Sequence, residues 1–196
     1  MKHLKIFTFV FIVSVSAVIL LYPNKSEAAT LNLSPASGSY TVGQSFSVDI
    51  NLNTSSQSVT AVSAYLTYNS SLLTASLDTA NSAFSVQAEN SVANGQISIS
   101  RGQATPGVNS ANALVARINF QVIAAGTSAV NFTLTSPGQG PSRVILNNGL
   151  GTDALTSVAN GTYTLTAVTP VNRDPSGSLD TADATHAAGW AYDSDA

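Results

Sequence analysis

A chain of 196 residues with 44% hydrophobic and only 9% charged residues has material for one core and a surface wetted by Ser, Thr, Asn, Gln and Gly instead of ions. Its formal net charge of −3 offers no basic patch, which argues against nucleic acid as a partner. It has no cysteine, so disulfides, a lipid-modified cysteine and thiolate metal sites are excluded.

Residues 1–28 read as a secretory signal peptide. Lys2 and Lys5 precede an apolar run from Ile6 to Tyr22, and Ser26 and Ala28 stand at a small-x-small cleavage position before Ala29. The alternative, an uncleaved anchor, is less favoured because the run is at the lower edge of spanning length. All three lysines (Lys2, Lys5, Lys25) lie in this leader, and the remaining strong cations are Arg101, Arg117, Arg143 and Arg173.

From Thr30 to about Val168 the apolar residues recur with a period of two, the mark of strands with one buried face. Phe46, Val48, Ile50 and Leu52 alternate with Ser47, Asp49, Asn51 and Asn53. Val62, Ala64, Leu66 and Tyr68 alternate with Ala61, Ser63, Tyr65 and Thr67. Ile97 and Ile99 follow, then Leu114, Ala116, Ile118, Phe120 and Val122, then Val130, Phe132 and Leu134, and finally Tyr163 and Leu165. Turn dipeptides separate the runs, among them Ser37-Gly38, Asn94-Gly95, Pro106-Gly107, Asn148-Gly149 and Asn160-Gly161. Asn and Gly reach positive φ at low cost, so they mark strand reversals. No stretch keeps a helical spacing. The expected fold class is all-β, a two-sheet sandwich of about nine strands over residues 29–169.

Chemistry-bearing residues are sparse. Between Thr30 and Thr169 there is no His and no Cys, so nucleophilic catalysis lacks its base and a zinc site lacks N and S ligands. The carboxylates there are Asp49, Asp78, Glu89 and Asp153. Asp49 lies outward on a strand and the other three in or beside expected loops, so nothing in the pattern brings two together as a glycosidase requires. No Gly-rich phosphate loop leads from a strand into a helix. The expectation is a non-catalytic domain with no catalytic residues, metal or cofactor.

What remains is binding. The outward row Ser63, Tyr65 and Thr67, with Ser98 and Ser100 beside it, is the candidate partner-binding site, and Tyr65 is its anchor, because Tyr is enriched among interface hot spots. The same row also reads as the plain wet side of a sandwich. A carbohydrate-binding module would need exposed aromatics in a line, and a structural spacer in a surface protein would need no site at all.

Several segments in order carry a family resemblance: LNLSPASGSYTVGQSFSVDINLNT, VTAVSAYLTYNSSLL, NGQISIS, LVARINFQVIAAGTSAVNFTL and a closing NGTYTL. Together they resemble a cohesin domain over about residues 30–168. The resemblance implies a nine-stranded jelly-roll sandwich whose first and last strands pair in parallel. It also implies that one sheet face receives a dockerin, a calcium-binding helical module, in an extracellular or cell-surface assembly for degrading polysaccharides. This sequence departs from the family pattern in the candidate strand. The usual Tyr-Asp-Pro ending is Tyr68-Asn69-Ser70, and the outward Asn and Asp positions hold Ala61 and Ser63. Losing a charge-assisted contact removes about 1.5–3 kcal/mol.

Near Thr169-Pro170 the pattern changes. Residues 170–178 read as a polar linker and residues 179–196 as the truncated start of a second module, since GSLDTADATHAAGWAYDSDA resembles a bacterial surface repeat marked by GWAYD. Trp190 and Tyr192 then share a strand face and pack that module's core. Two other readings stand beside it. One is an acidic linker. The other is a calcium loop in which Asn172, Asp174, Ser176, Gly177, Leu179, Asp180 and Asp183 match a dockerin-like ligand spacing, although Pro175 interrupts it and Asp replaces the terminal Glu.

Overall fold

The computed structural model describes residues 28–134, 141–169 and 173–193. The leader, read as a signal peptide, lies outside them, as do Asn172 and Asp195. The strands in chain order are β1 Ala29–Ser34, β2 Ser37–Thr41, β3 Ser45–Asn53, β4 Val59–Thr67, β5 Leu73–Asp78, β6 Val86–Ala93 and β7 Gln96–Gly102. They continue as β8 Ala113–Val122, β9 Gly126–Phe132, β10 Arg143–Leu146, β11 Leu155–Ala159, β12 Gly161–Thr166, β13 Ser176–Ala182 and β14 Ala187–Tyr192. Among the described residues no helix is long and apolar enough to cross a membrane.

Two sheets face each other. Sheet I has the order β11-β1-β3-β8-β5, and sheet II the order β2-β12-β9-β4-β7-β6 with β10 also paired to β4. The inward residues of both form one core, from Leu31, Val48, Ile50 and Ile118 on sheet I to Val62, Leu66, Ile97, Ile99 and Val130 on sheet II. At one end of the core, Tyr40 stacks on Phe46 with ring centroids 3.9 Å apart, and Phe120 and Tyr163 pack against them. Burial raises the Tyr163 hydroxyl to about 12, with Tyr40 adding to the effect.

Among the described residues the sandwich uses twelve strands where the sequence pattern implies about nine, in part because the first and last strands are each broken and change sheet. The chain leaves sheet I after Ser34, passes Pro35, which has no N–H to give to a ladder, and enters sheet II at Ser37. Its partner does the same at Asn160. The parallel pairing expected of first and last strands therefore occurs twice, β1 with β11 and β2 with β12. The crossing is pinned by Tyr163 Oη donating to Pro35 O at 2.8 Å and by the Thr162 amide donating to Ala36 O at 2.9 Å.

Three local expectations change. Leu114 does not point inward: a β-bulge opposite Ile50/Asn51 pairs Leu114 with Asn51 and Ala113 with Leu52, so Ala113 and Val115 are buried in its place. Leu134 is 49% exposed because β9 has already ended at Phe132. Glu89 lies within β6, not in a loop. The Asn94-Gly95 turn is as expected, with φ of 53° and 78° closing β6 onto β7.

Candidate functional site

β4 runs through the interior of sheet II. It pairs with β7 along its length, and on its other side with β10 at Ala61–Ser63 and with β9 at Leu66–Thr67. Where β9 leaves and β10 begins, Tyr65 would have an unpaired backbone. Ser142 fills the gap: its Oγ accepts the Tyr65 amide at 3.1 Å and donates to the Tyr65 carbonyl at 3.3 Å, while the Thr133 amide donates to the same carbonyl at 2.7 Å. The alternation of β4 holds, with Val62, Ala64 and Leu66 buried and Ser63, Tyr65 and Thr67 on the outer face.

The structure brings all five expected site residues together. Ser63 faces Ser100 across the β4–β7 ladder, Tyr65 faces Ser98 and Thr67 faces Gln96. The Ser63 and Ser100 hydroxyls are 3.0 Å apart. Tyr65 Oη donates to Glu89 Oε2 at 2.9 Å, and Ser100 Oγ donates to the same oxygen at 3.3 Å. Glu89 lies on β6, two strand spacings or about 10 Å from β4, so the Tyr65 ring must lean across β7 to reach it. This explains why Ser98, although on the outer row, is only 6% exposed. Tyr65 presents a ring face held at its far end, while Thr67 is fully on the surface.

Sequence reasoning misses two members of this face. Glu89 is hidden because VQAENSVA has no clean alternation. Arg143 follows a Pro/Gly-rich stretch, yet it pairs with Ser63 and is exposed on the same side. Glu89 and Arg143 are the charged side chains of the face among the described residues. Hydroxyl and amide side chains surround them, among them Ser91, Gln96, Thr127, Asn131, Thr162 and Thr164, with Ala61, Ala129 and Ile145 as apolar positions of the same face.

A family model for the cohesin domain matches residues 29–169. The chain belongs to the cohesin family. Among solved structures it is similar to CaCohA2 from Clostridium acetobutylicum, at 21% identity over 72% of this chain and 93% of that one, with a TM-score of 0.56. It is also similar to a non-cellulosomal cohesin from the archaeon Archaeoglobus fulgidus, at 15% identity over 70% and 91% of the two chains, with a TM-score of 0.54. A third is the Coh-OlpC–Doc435 complex from Clostridium thermocellum, a cohesin–dockerin complex, at 9% identity over 72% and 94%, with a TM-score of 0.56. No curated protein matches the chain.

The cohesin domain's departures from its family pattern have visible local consequences. Tyr68 turns inward, its ring 5.6 Å from that of Phe120 and edge-on, and burial raises its hydroxyl above the ordinary tyrosine value. Asn69 shapes the following turn: its Oδ1 accepts the Ser71 amide at 2.9 Å and its carbonyl accepts the amides of Leu72 and Leu73. Ala61 faces Ile145 and Gly102, so that end of the row has no side-chain donor or acceptor.

On the outer face of sheet I the structure does bring two carboxylates together, contrary to the sequence expectation. Arg117 pairs in register with Asp49 on one side and Asp78 on the other. Its guanidinium grips Asp49 through Nε at 2.6 Å and Nη2 at 2.9 Å, which raises the Arg117 value, first through that hydrogen bond. Arg117 stands on the strand between the two carboxylates and engages Asp49, with Asp78 adding a weaker electrostatic influence. Among the described residues, no group of three His, Cys, Asp or Glu could hold a metal.

The tail forms a two-stranded hairpin, β13 with β14, that begins inside the stretch read as linker. Trp190 and Tyr192 do share a face, opposite Ser178 and Ser176, and are 56% and 63% exposed. Of the residues weighed for calcium, Ser176, Gly177, Leu179 and Asp180 are extended in β13. Asp183 closes the turn, its Oδ1 accepting the amides of Thr185 and His186 and the Thr185 hydroxyl.

Proposed function

We propose that this cohesin domain is a non-catalytic extracellular docking module that holds a dockerin-like protein partner on the outer face of sheet II, within a surface or polysaccharide-degrading assembly. The observation that carries this reading is the Tyr65 arrangement: one aromatic ring, tied by its hydroxyl to Glu89, amid a flat field of small hydroxyl side chains. Such a ring offers rigid apolar area at low entropy cost, and its neighbours offer short hydrogen-bonding groups. The solved complex from Clostridium thermocellum supports the class of partner, and the archaeal cohesin named as non-cellulosomal supports a wider range of assemblies. Export follows from the leader as read from its sequence.

A polysaccharide partner fits this face less well. Tyr40, Tyr68 and Tyr163 turn into the sandwich, so Tyr65 has no second aromatic beside it to extend a stacking strip. The test is capture of dockerins and secreted proteins by the native chain, compared with a Tyr65→Ala, Ser63→Arg double variant. A partner bound by the first and lost by the second, with the fold intact by circular dichroism, supports docking at this face. Capture insensitive to both changes overturns it.

A further inference from the structure

On the flank where β10 of sheet II approaches β11 of sheet I there is a groove of about 460 Å3. Leu134, Pro141 and Leu155 give it apolar walls, and Ser142, Arg143 and Asp153 give it polar ones. Leu134 stays half exposed in a domain whose other inward leucines are covered. Among the described residues β11 is the outermost strand of sheet I, with β1 on one side and no strand paired along the other. A strand edge of this kind carries unpaired N–H and C=O groups, and an extended chain can complete it.

Charge narrows what fits. Arg143 is exposed and makes no ion pair among the described residues, whereas Arg117, the other exposed arginine of the sandwich there, is paired with Asp49. Asp153 is fixed in the groove wall, its Oδ1 accepting the amides of Val144 at 3.0 Å and Leu155 at 3.1 Å. One carboxylate is therefore already in place, and an incoming one is favoured only beside Arg143. Side chains of an added strand that enter the same groove are two residues apart.

We propose that the groove and the β11 edge together bind an extended segment of a partner protein. It pairs along β11, seats an aliphatic side chain on Leu134, Pro141 and Leu155, and places one Asp or Glu on Arg143. The matching pattern is acid-x-aliphatic or aliphatic-x-acid. The groove lies beside the Tyr65 ring and shares Arg143 with the sheet II face, while Ser142 lines the groove and also braces the Tyr65 backbone.

The test uses the full chain and a displayed library of random decapeptides. The most enriched peptide is then measured by fluorescence polarisation, alongside its acid-to-Lys version. We expect enrichment of the stated pattern, at least a tenfold loss of affinity on Arg143→Glu, and recovery when that variant meets the Lys peptide. Amide exchange should slow in the complex at those β11 amides beyond Leu155 that point away from β1, since the Leu155 amide is already held by Asp153. Thr67→Arg, at the other end of β4, should leave peptide affinity unchanged, which separates the groove from the Tyr65–Thr67 row even though Arg143 borders both. No enriched pattern, affinity indifferent to Arg143→Glu in a variant that folds, or protection on strands other than β11 would overturn the proposal.

Discussion

The sandwich and the tail hairpin follow one local rule and arrive at opposite outcomes. In β12, Tyr163 and Leu165 alternate with threonines and are buried; in β14, Trp190 and Tyr192 alternate with small residues and stand exposed. The difference is the second layer. β12 has sheet I across from it, whereas among the described residues β13 and β14 form a sheet of their own. Alternation defines a face, and burial of that face requires something opposite it.

Side-chain truncation tests this contrast most strongly. Phe120→Ala removes a ring packed among Phe46, Tyr68 and Tyr163 and should destabilise the sandwich by about 3–5 kcal/mol in urea denaturation. Leu179→Ala, on an exposed strand, should shift the same transition by less than about 0.5 kcal/mol. Equal costs would mean that the hairpin unfolds with the sandwich, and the contrast would fail.

Alkaline pH gives a smaller effect confined to the sandwich. The Tyr163 hydroxyl is pushed up to about 12, so the folded state favours its neutral form. That contribution is complete below the ordinary tyrosine value near 10 and is lost as pH rises through about 12, amounting to about 2–3 kcal/mol. Tyr163→Phe should flatten this part of the stability profile. It should also lower stability at neutral pH by about 1 kcal/mol, because the bond to Pro35 O is lost.

The smallest effect belongs to the hairpin. The Asp183 carboxyl is held below its ordinary value, first by the Thr185 amide, then by the Thr185 hydroxyl and the His186 amide. Its folded value is depressed, so its support for the turn is present above the ordinary carboxylate range and disappears as pH falls through the depressed value. The Thr185 and His186 amide resonances should move together during acidification, and Asp183→Ala should abolish the movement. Independent titration of the two amides would separate Asp183 from the turn.

Much of the candidate site was legible before any coordinates. Ser63, Tyr65 and Thr67 share a face because β4 alternates without a fault, and Ser98 and Ser100 were placed beside them by the same parity. Leu114 was misassigned because a bulge inserts one residue and reverses parity, and nothing in LVARINF signals it. Glu89 reads from the sequence as a loop residue because β6 is an edge strand with little to bury, so its pattern is weak.

The sequence by itself determined which residues face inward along most strands, where the chain reverses, and that residues 30–169 hold no His and no Cys. Those properties are local: a two-residue period, a positive-φ turn or a missing residue type can be read in a short window. Tertiary structure alone decided who stands next to whom. Tyr65 meets Glu89 from 24 residues away and Ser142 from 77, and the opening and closing strands cross between sheets together. Neighbourhood is set by strand order and register, which arise when the whole apolar surface is buried at once, so the tie of Tyr65 to Glu89, the brace from Ser142 and the flanking groove emerge only from the assembled sandwich.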